Sequence, residues 1–352
     1  MGKFSNLRAA LRDATNKPLM LQSGSSVMSL LTRLSKNEDV SETWIACALA
    51  GDEVVMEKLA SEAAQLARPR LVQNKGGKAT AILSMRGVAL YDVEFQPLAF
   101  STLHLSRTVA ALAADPSVGS IILDIDSPGG SVTGVPEAAD AVFAAAQRKP
   151  VTAIVNPLAA SAAYYIASQA NEIIGVPSSD TGSIGVYVMH QEISEMAARE
   201  GVKVTFISAG ENKLDGNAYE PLSETARAHI QSEVDLIYTD FLSAVARGRK
   251  TSVSRVEKSF GQGRTFMAAA ARSAGMIDKV MTLDKAYASV GLSFQSNQRM
   301  EAETPAPVMV ETHLDPELLT ETIDEEVENT PDLSVETDYD AKRKLLRLLE
   351  IS

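Results

Sequence analysis

The sequence predicts an α/β fold with a largely parallel sheet. Short β-branched runs alternate with Ala-rich stretches of helical length from about residue 80 to residue 290, and this alternation is typical of strand–helix units. The 352 residues are 45% hydrophobic, which allows one large core or two modest ones. We therefore predict an α/β domain over residues 76–295, preceded by a helical segment (1–75) and followed by an acidic flexible tail (296–352).

The predicted strands are the runs richest in Val, Ile and Thr, at 80–91, 119–125, 151–155, 172–176 and 202–208. The helices predicted between them lie at 102–114, 134–148, 161–170 and 190–200. A long helix follows at 223–247, with Ser223 and Glu224 at cap positions, and shorter helices near 265–274 and 283–290 close the domain.

The flanking segments differ from this pattern. We predict helices at 25–36 and 41–67 and a linker at 68–78, where Gly, Lys and Pro cluster. The tail carries four prolines, and residues 301–340 contain no Lys or Arg, so self-repulsion should keep it extended. Its end, AKRKLLRLLEIS, is amphipathic and is interpreted either as a solvated terminus or as an arm that docks on a partner protein.

Composition excludes several classes of function. No apolar run approaches the ~18–20 residues of a membrane span, and the N-terminus lacks the apolar region of a secretory signal, so we expect a cytoplasmic protein. One cysteine and four scattered histidines predict neither a metal site nor a cofactor. The net charge of −12 is concentrated in the tail, which argues against a nucleic-acid partner.

A Pro-Gly-Gly turn follows the second predicted strand, in Asp124-Ile-Asp-Ser-Pro-Gly-Gly-Ser131. Glycine lets the backbone reach unusual φ values and approach a ligand closely. The N–H groups exposed in such a turn can bind a carbonyl oxygen as it becomes an oxyanion. The turn is a candidate oxyanion site or simply a turn.

Ser161 stands between small residues where a predicted strand gives way to a helix, in Ala159-Ala-Ser-Ala-Ala-Tyr-Tyr165. Small neighbours allow a substrate backbone to approach the hydroxyl, and the helix N-terminus favours developing negative charge. Ser161 is therefore a candidate nucleophile, with a helix cap as the structural alternative.

Lys213 follows another predicted strand, in a loop rich in Gly and Asn. A serine nucleophile needs a base, and a lysine serves only where desolvation or nearby positive charge lowers its pKa from roughly 10.4. The structural alternative is a solvated surface charge.

Together these segments resemble the signal-peptide-peptidase A family of serine peptidases, which has the Clp-protease/crotonase fold. The similarity covers about residues 80–290. It is carried by Asp126-Ser-Pro-Gly-Gly130, Ala160-Ser-Ala-Ala-Tyr-Tyr-Ile-Ala167, Thr181-Gly-Ser-Ile-Gly-Val186, the lysine loop at 210–217 and Gly263-Arg-Thr-Phe266. The resemblance implies repeated strand–helix units, a polypeptide substrate and a homo-oligomer whose active site lies at, or is completed by, subunit contacts.

The resemblance also implies roles for individual residues. Ser161 becomes the nucleophile and Lys213 the general base, oriented by Ser183. Gly129 and the N–H of Ala162 become the oxyanion hole, and Gly130 supports the turn. The sequence departs from the family pattern at Ala162-Ala163, where Gly-Gly is frequent, so substrate preference is open. His190, in Val-Met-His-Gln, is the rival base, and we interpret it as a surface or capping residue at the start of the helix at 190–200.

Within this family the sequence resembles the capsid-maturation (prohead) proteases of lambda-like phages. Lys17-Pro-Leu-Met-Leu21 is similar to their opening segment, and Lys213-Leu-Asp-Gly-Asn-Ala-Tyr219 to their lysine loop. This resemblance implies action inside the procapsid in the host cytoplasm, on scaffold, major capsid or portal protein or on the protease itself. The alternatives are a host cytosolic peptide-degrading peptidase, a catalytically idle structural head protein and a crotonase-like acyl-CoA enzyme.

Overall fold

The structure is a computed structural model that describes residues 19–21, 68–73, 77–92 and 99–292. The strands are β1 (Leu19–Leu21), β2 (Arg70–Gln73), β3 (Ala79–Arg86), β4 (Val88–Leu90), β5 (Ala99–Ser101), β6 (Val118–Ser127), β7 (Gly129–Ser131), β8 (Val151–Ala160), β9 (Glu172–Gly175), β10 (Asp180–Gly182), β11 (Thr265–Met267) and β12 (Lys279–Val280). The helices are α1 (Thr102–Ala114), α2 (Val135–Ala146), α3 (Ala162–Ala167), α4 (Ser194–Arg199), α5 (Glu224–Gly248), α6 (Val253–Ser259), α7 (Ala268–Ala274) and α8 (Leu283–Ser289).

Two sheets organise the described residues. The larger has the path β11-β10-β8-β6-β3-β2, with β9 beside β8 and β12 beside β9. Its central pairs, β3–β6, β6–β8, β8–β9 and β8–β10, are parallel, and the pairs β2–β3 and β10–β11 are antiparallel. The smaller sheet has the order β1-β7-β4-β5. The chain is therefore a mixed α/β protein with a mostly parallel sheet, consistent with a Clp-protease-like fold.

Both faces of the large sheet are buried, which explains why its strands are almost continuously apolar. Alternate residues face opposite sides of a strand. On one side the strand residues pack with α1, α2 and α3: Ala81, Leu83, Met85, Ile121, Leu123, Ile125, Ala153 and Val155. On the other side a row of isoleucines packs with Ala286 and Tyr287 of α8: Ile82, Ile122, Ile154 and Ile174.

Serine caps fix the starts of three helices. Ser101 accepts a hydrogen bond from the N–H of His104, Ser223 from Ala226 and Ser252 from Arg255. The predicted long helix is thus confirmed as α5, with Ser223 as its cap. In the described ranges, no helix combines the length and apolar character that crossing a membrane requires.

Several predicted elements differ from the structure. The predicted strand at 202–208 is wrong: this segment forms no strand, its residues are exposed, and no strand among the described residues pairs with it. The predicted linker at 68–78 contains β2, which pairs with β3. The helix predicted at 190–200 is shorter and corresponds to α4. The helix predicted at 265–274 is divided into strand β11 and helix α7. The helices predicted at 25–36 and 41–67 and the acidic tail lie outside the described residues.

Candidate active site

Ser161 occupies a sharp junction between a strand and a helix. It directly follows β8 and precedes α3, and its backbone has φ 54° and ψ −119°, a region that non-glycine residues rarely adopt. Two backbone bonds hold the junction: the Ser161 N–H donates to the Gly182 carbonyl at 2.7 Å, and the Ser161 carbonyl accepts from Tyr165 N–H at 2.8 Å. Such strain, about 1–3 kcal/mol, persists where the surroundings enforce it, and it is frequent at active sites.

The Ser161 hydroxyl does not act as a helix cap. Its side chain accepts no capping hydrogen bond from α3, unlike Ser101, Ser223 and Ser252 at their helices. The residue is 0% exposed, and no group in the described part of the chain is hydrogen-bonded to its Oγ. A buried hydroxyl in this state is unfavourable by about 1–3 kcal/mol. This site therefore holds a hydroxyl whose bonding capacity is unused.

The Pro-Gly-Gly turn lies next to this serine. β6 and β8 run in parallel register up to Ile125 and Val155, and after an irregularity Ser127 is opposite Ala159, two residues before Ser161. Helix α3 packs against β7, which begins at Gly129. The turn and the strand-to-helix junction therefore lie at the same end of these two strands.

The two glycines of the turn have different physical roles. Gly129 has φ 98°, in the left-handed region, and its N–H donates to Ser127 Oγ at 3.1 Å. A Cβ on Gly130 would lie 2.1 Å from the carbonyl oxygen of Ala89 in β4, so only glycine fits there. The absence of a side chain at Gly130 therefore allows the close packing of β7 on β4.

Ser183 lies beside Ser161 through the pairing of β10 with β8. Gly182 is opposite Ala160, so Ser183 and Ser161 follow adjacent strand ends. Ser183 is buried, has φ 55° and donates its N–H to the Arg264 carbonyl at 2.9 Å. Thr181, one residue before Gly182, has a buried Oγ1 that has no hydrogen-bond partner in the described ranges.

The predicted oxyanion donors are the N–H groups of Gly129 and Ala162. Ala162 is buried at the first position of α3, where a helix leaves N–H groups without partners inside the helix. The Gly129 N–H is already shared with Ser127, so an incoming oxygen would compete with that hydroxyl. Ser127, in the Asp126–Gly130 motif, thus joins the candidate site, although the sequence pattern alone does not single it out.

Charged side chains lie on the strand that leads into the turn. Arg86 of β3 approaches Asp124 at 3.0 Å and Asp126 at 3.8 Å, and the Gly87 N–H donates to the Asp126 carbonyl. Burial raises the pKa of Asp126 above its ordinary value, and the attraction of Arg86 only partly opposes this. The two ion pairs connect the end of β3 to the residues just before the turn.

Lys213 is not brought to Ser161 within one chain. It is exposed, in a loop of consecutive turns where its backbone N–H donates to the Gly210 carbonyl at 3.2 Å. Since Ser161 Oγ has no hydrogen-bond partner among the described residues, Lys213 Nζ does not bond to it in this state. The pairing of Ser161 with Lys213 stays a prediction.

The rival base, His190, contacts the lysine loop rather than the serine. Its Nε2 donates to the Asn217 carbonyl at 3.0 Å, and three residues later the Ile193 N–H donates to Ala218. His190 is half-buried and precedes α4 by four residues, so it does not begin a helix as predicted. It anchors the lysine loop.

The segment that leads to this loop exposes a row of apolar side chains. Val202, Val204 and Phe206 are 54%, 42% and 36% exposed, and Ile207 is 99% exposed. A contiguous exposed apolar stretch commonly marks a contact surface. The lysine and this row therefore share one exposed segment.

Among the residues that the structure describes, no three His, Cys, Asp or Glu side chains are grouped so that they could hold a metal ion.

Comparison with known proteins gives one family match and several relatives. Residues 144–294 match peptidase family S49. This range contains Ser161, Ser183 and Lys213, whereas the turn at Gly129 precedes it. The chain is 33% identical over 186 residues to the head-tail preconnector protein GP5 of Enterobacteria phage P21, a match over 53% of this chain and 37% of that protein.

Two further relatives extend the comparison. The capsid assembly protease C of Escherichia phage lambda is 28% identical over 295 residues, which cover 79% of this chain and 64% of that protein. Protease 4 of Salmonella typhi is 32% identical over 176 residues, 49% of this chain and 28% of that protein. The chain thus spans less than two thirds of the length of each of these relatives.

Proposed function

We propose that this chain is a serine-type endopeptidase in which Ser161 is the nucleophile, because residues 144–294 match peptidase family S49. The observation that carries the proposal is the Ser161 junction itself: a strained backbone presents a buried hydroxyl with unused bonding capacity at a helix start, next to a Gly-Gly turn. A strained strand-to-helix turn of this kind is a known way to present a serine nucleophile.

The proposed reaction is acyl transfer through a serine ester. Ser161 Oγ attacks the carbonyl carbon of a peptide bond while Lys213, as an uncharged amine, accepts the hydroxyl proton. The N–H groups of Gly129 and Ala162 stabilise the oxyanion. The C–N bond then breaks, and the leaving amine takes the proton from Lys213. The Lys213 amine then takes a proton from a water molecule, which attacks the ester. As the carboxylic acid leaves, the proton passes from Lys213 to Ser161 Oγ and restores the hydroxyl.

We assign the base for each Ser161 to the Lys213 of a second copy of the chain, and we assign to Ser183 the role of orienting that amine. Three features support this assignment: Lys213 is exposed, Ser161 Oγ is buried, and the apolar row at 202–207 precedes the lysine on the same segment. Burying that row against a neighbour would also remove the lysine from water, which favours the uncharged amine that a base needs. The active site would then be complete only in a homo-oligomer.

The proposed substrates are polypeptides of a phage procapsid. This part of the proposal is supported by the names of the relatives, a capsid assembly protease and a head-tail preconnector protein. Scaffold, major capsid and portal proteins, and the chain itself, are the candidate substrates, and processing would take place in the procapsid interior within the host cytoplasm.

The test is proteolysis by matched variants. The chain is co-expressed with candidate phage scaffold and capsid proteins, and processing is followed by mass spectrometry, with fluorescein-labelled casein as a general substrate. Ser161→Ala and Lys213→Ala are expected to lower cleavage by about a thousandfold or more. Ser179→Ala and Lys203→Ala are the controls, because Ser179 Oγ is likewise buried and unpaired within the described residues and Lys203 is exposed on the same segment.

The controls are expected to cleave like the unmodified chain. Processing that persists in both Ser161→Ala and Lys213→Ala would refute the proposed dyad. Loss with Ser161→Ala alone would retain the nucleophile and reject Lys213 as the base.

A further inference from the structure

Strand β7 lies between two strands of the smaller sheet. On one edge, Gly130 pairs with Ala89 of β4. On the opposite edge β7 pairs with the antiparallel strand β1 from the N-terminal part of the chain, with Leu19 opposite Ser131, Met20 opposite Gly130 and Leu21 opposite Gly129. β1 is the last strand of its sheet, so within the described residues it pairs with β7 alone. Three residues near the N-terminus therefore cover the turn that follows β6.

The direction of β1 is informative. It runs from Ser131 towards Gly129, so that its last residue, Leu21, is opposite the glycine proposed to bind an oxyanion. An extended polypeptide that followed the same edge in the same direction would bring a carbonyl to this turn, beside Ser161. Addition of a strand to an exposed sheet edge is a general mode of peptide recognition, because main-chain hydrogen bonds provide affinity without requiring a particular side chain.

The burial of Ser161 also indicates that β1 is displaced when a substrate binds. A nucleophile must touch the carbonyl carbon that it attacks, yet Ser161 is 0% exposed. Some part of the chain must therefore move before a polypeptide reaches the hydroxyl. β1 is a strand of only three residues and lies at the end of its sheet, whereas β4, on the other side of β7, is fixed by the close contact of Gly130 with Ala89.

We propose that Leu19–Leu21 is an autoinhibitory strand: it occupies the β7 edge, and an extended substrate polypeptide must displace it. The proposal deepens the proposed peptidase function and rests on it for the identity of the ligand. It makes access to Ser161 depend on release of the chain's own N-terminal segment.

The first test measures binding without catalysis. The probe is a fluorescein-labelled decapeptide with the sequence of residues 15–24, added to the full-length Ser161→Ala protein and followed by anisotropy. Met20→Pro, added to this background, removes a backbone N–H and fixes φ near −65°, away from the antiparallel value near −140°. We expect the decapeptide to bind at least about tenfold more tightly to this variant, since main-chain hydrogen bonds become available to it.

Met20→Ala in the same background is the matched control, because it keeps the N–H, and it is expected to bind the probe like the parent. Equal binding by all three proteins would overturn the proposal. So would a Met20→Pro protein that unfolds at lower urea without gaining affinity, since β1 would then be a permanent support of the turn.

A second test cross-links β1 to β7 with a disulfide, so its outcome does not depend on whether the protein folds with proline at position 20. Leu19 and Ser131 are opposite each other, and cysteines at directly opposite antiparallel positions are close enough for a disulfide. Oxidation of Leu19→Cys/Ser131→Cys should lock β1 on the edge and lower casein cleavage at least about tenfold, with recovery on reduction. Leu19→Cys alone is the control. An oxidised, cross-linked protein that cleaves casein at the reduced rate would contradict the proposal.

The two hypotheses fail in different ways. If the unmodified chain cleaves casein through Ser161 but Met20→Pro changes neither binding nor cleavage, the occupied edge is rejected and the peptidase stands. If the decapeptide shows the expected preference but no variant cleaves any polypeptide, the edge stands and the peptidase is rejected.

Discussion

Two serines that each precede a helix are held in opposite ways. Ser223 has an extended backbone, and its hydroxyl accepts a hydrogen bond from Ala226 N–H at 3.1 Å. Ser161 has a positive φ, and no described group is bonded to its buried hydroxyl. The first arrangement stabilises the helix, whereas the second leaves an unfavourable polar group in the interior. The difference is what distinguishes a cap from a candidate nucleophile.

Alanine substitutions at these serines should therefore change stability in opposite directions. Ser161→Ala removes an unpaired buried hydroxyl and should raise the free energy of unfolding by about 1 kcal/mol. Ser223→Ala removes a cap and should lower it by about 1 kcal/mol. Urea denaturation of both variants measures the two changes in the free energy of unfolding. A loss of stability in Ser161→Ala equal to that in Ser223→Ala would mean that the Ser161 hydroxyl has a bonding partner.

Two aspartates should give opposite pH dependence. Burial raises the pKa of Asp126, so the folded chain binds more protons than the unfolded chain just above the ordinary pKa of 3.8, and stability falls as pH rises through that window. Hydrogen bonds from Ser117 lower the pKa of Asp115, so its contribution is present above 3.8 and is lost as pH falls.

The substitutions Asp126→Asn and Asp115→Asn test this assignment. As the pH rises from about 4, Asp126→Asn should gain stability relative to the parent chain, because the parent loses the contribution of the protonated Asp126. As the pH falls below about 4, the stability deficit of Asp115→Asn relative to the parent should shrink, because the parent loses the contribution of the ionised Asp115. Urea denaturation at a series of pH values provides the comparison. A relative loss of stability in Asp126→Asn on raising the pH would show that the attraction of Arg86 outweighs burial.

At the scale of elements, the close approach of β7 to β4 fixes the position of the turn. A Cβ on Gly130 would lie 2.1 Å from Ala89 O and 2.6 Å from Ala89 N, both backbone atoms that cannot swing away. Gly185, in the Thr-Gly-Ser-Ile-Gly-Val motif, differs: its nearest neighbour would be Gly263 Cα at 3.5 Å, an ordinary contact.

Alanine at these two glycines should therefore have unequal effects. Gly130→Ala should lower the free energy of unfolding by about 1–3 kcal/mol, because the sheet must shift to admit the methyl group, and cleavage should fall with it. Gly185→Ala should change stability by less than about 0.5 kcal/mol. Thermal and urea unfolding provide the measurement. A Gly130→Ala protein as stable as Gly185→Ala would contradict the described packing of β7 on β4.

The sequence predicts elements well where local signals and burial agree. The strand at 151–155 and the helix at 223–247 are present because the first is a buried β-branched run and the second has a serine cap. The run at 202–208 carries the same strand-like residues but is exposed, and no strand in the described part of the chain pairs with it. β-branched residues favour a strand only where a neighbour provides hydrogen bonds, and that information is absent from a local pattern.

The same limit applies to the site. The family resemblance implies one site built from the turn, Ser161 and Ser183, and adjacent parallel strand ends bring Ser127, Ser161 and Ser183 to one region. The positive φ of Ser161, the bond from Gly129 to Ser127 and the coverage of β7 by β1 depend on tertiary contacts. No pattern of residue types along the chain encodes them.

At the scale of the whole molecule, one chain carries both proposed catalytic groups but does not bring them together. Ser161 is buried next to the sheet, and Lys213 is exposed beyond the apolar row at 202–207. Head-to-tail contacts between identical subunits join different surfaces of the chain, and they form a ring where the rotation between subunits closes. Such a contact would place the lysine loop of one subunit against the serine of the next.

Mixing two inactive variants tests this central claim most directly. Ser161→Ala provides the lysine and Lys213→Ala provides the serine, so denatured and refolded equal mixtures should regain about a quarter of the casein-cleaving activity of the unmodified oligomer if the sites form randomly between neighbours. Each variant refolded alone should remain inactive. Activity that stays absent from the mixture, while the unmodified chain regains its own after the same treatment, would contradict a site shared between subunits.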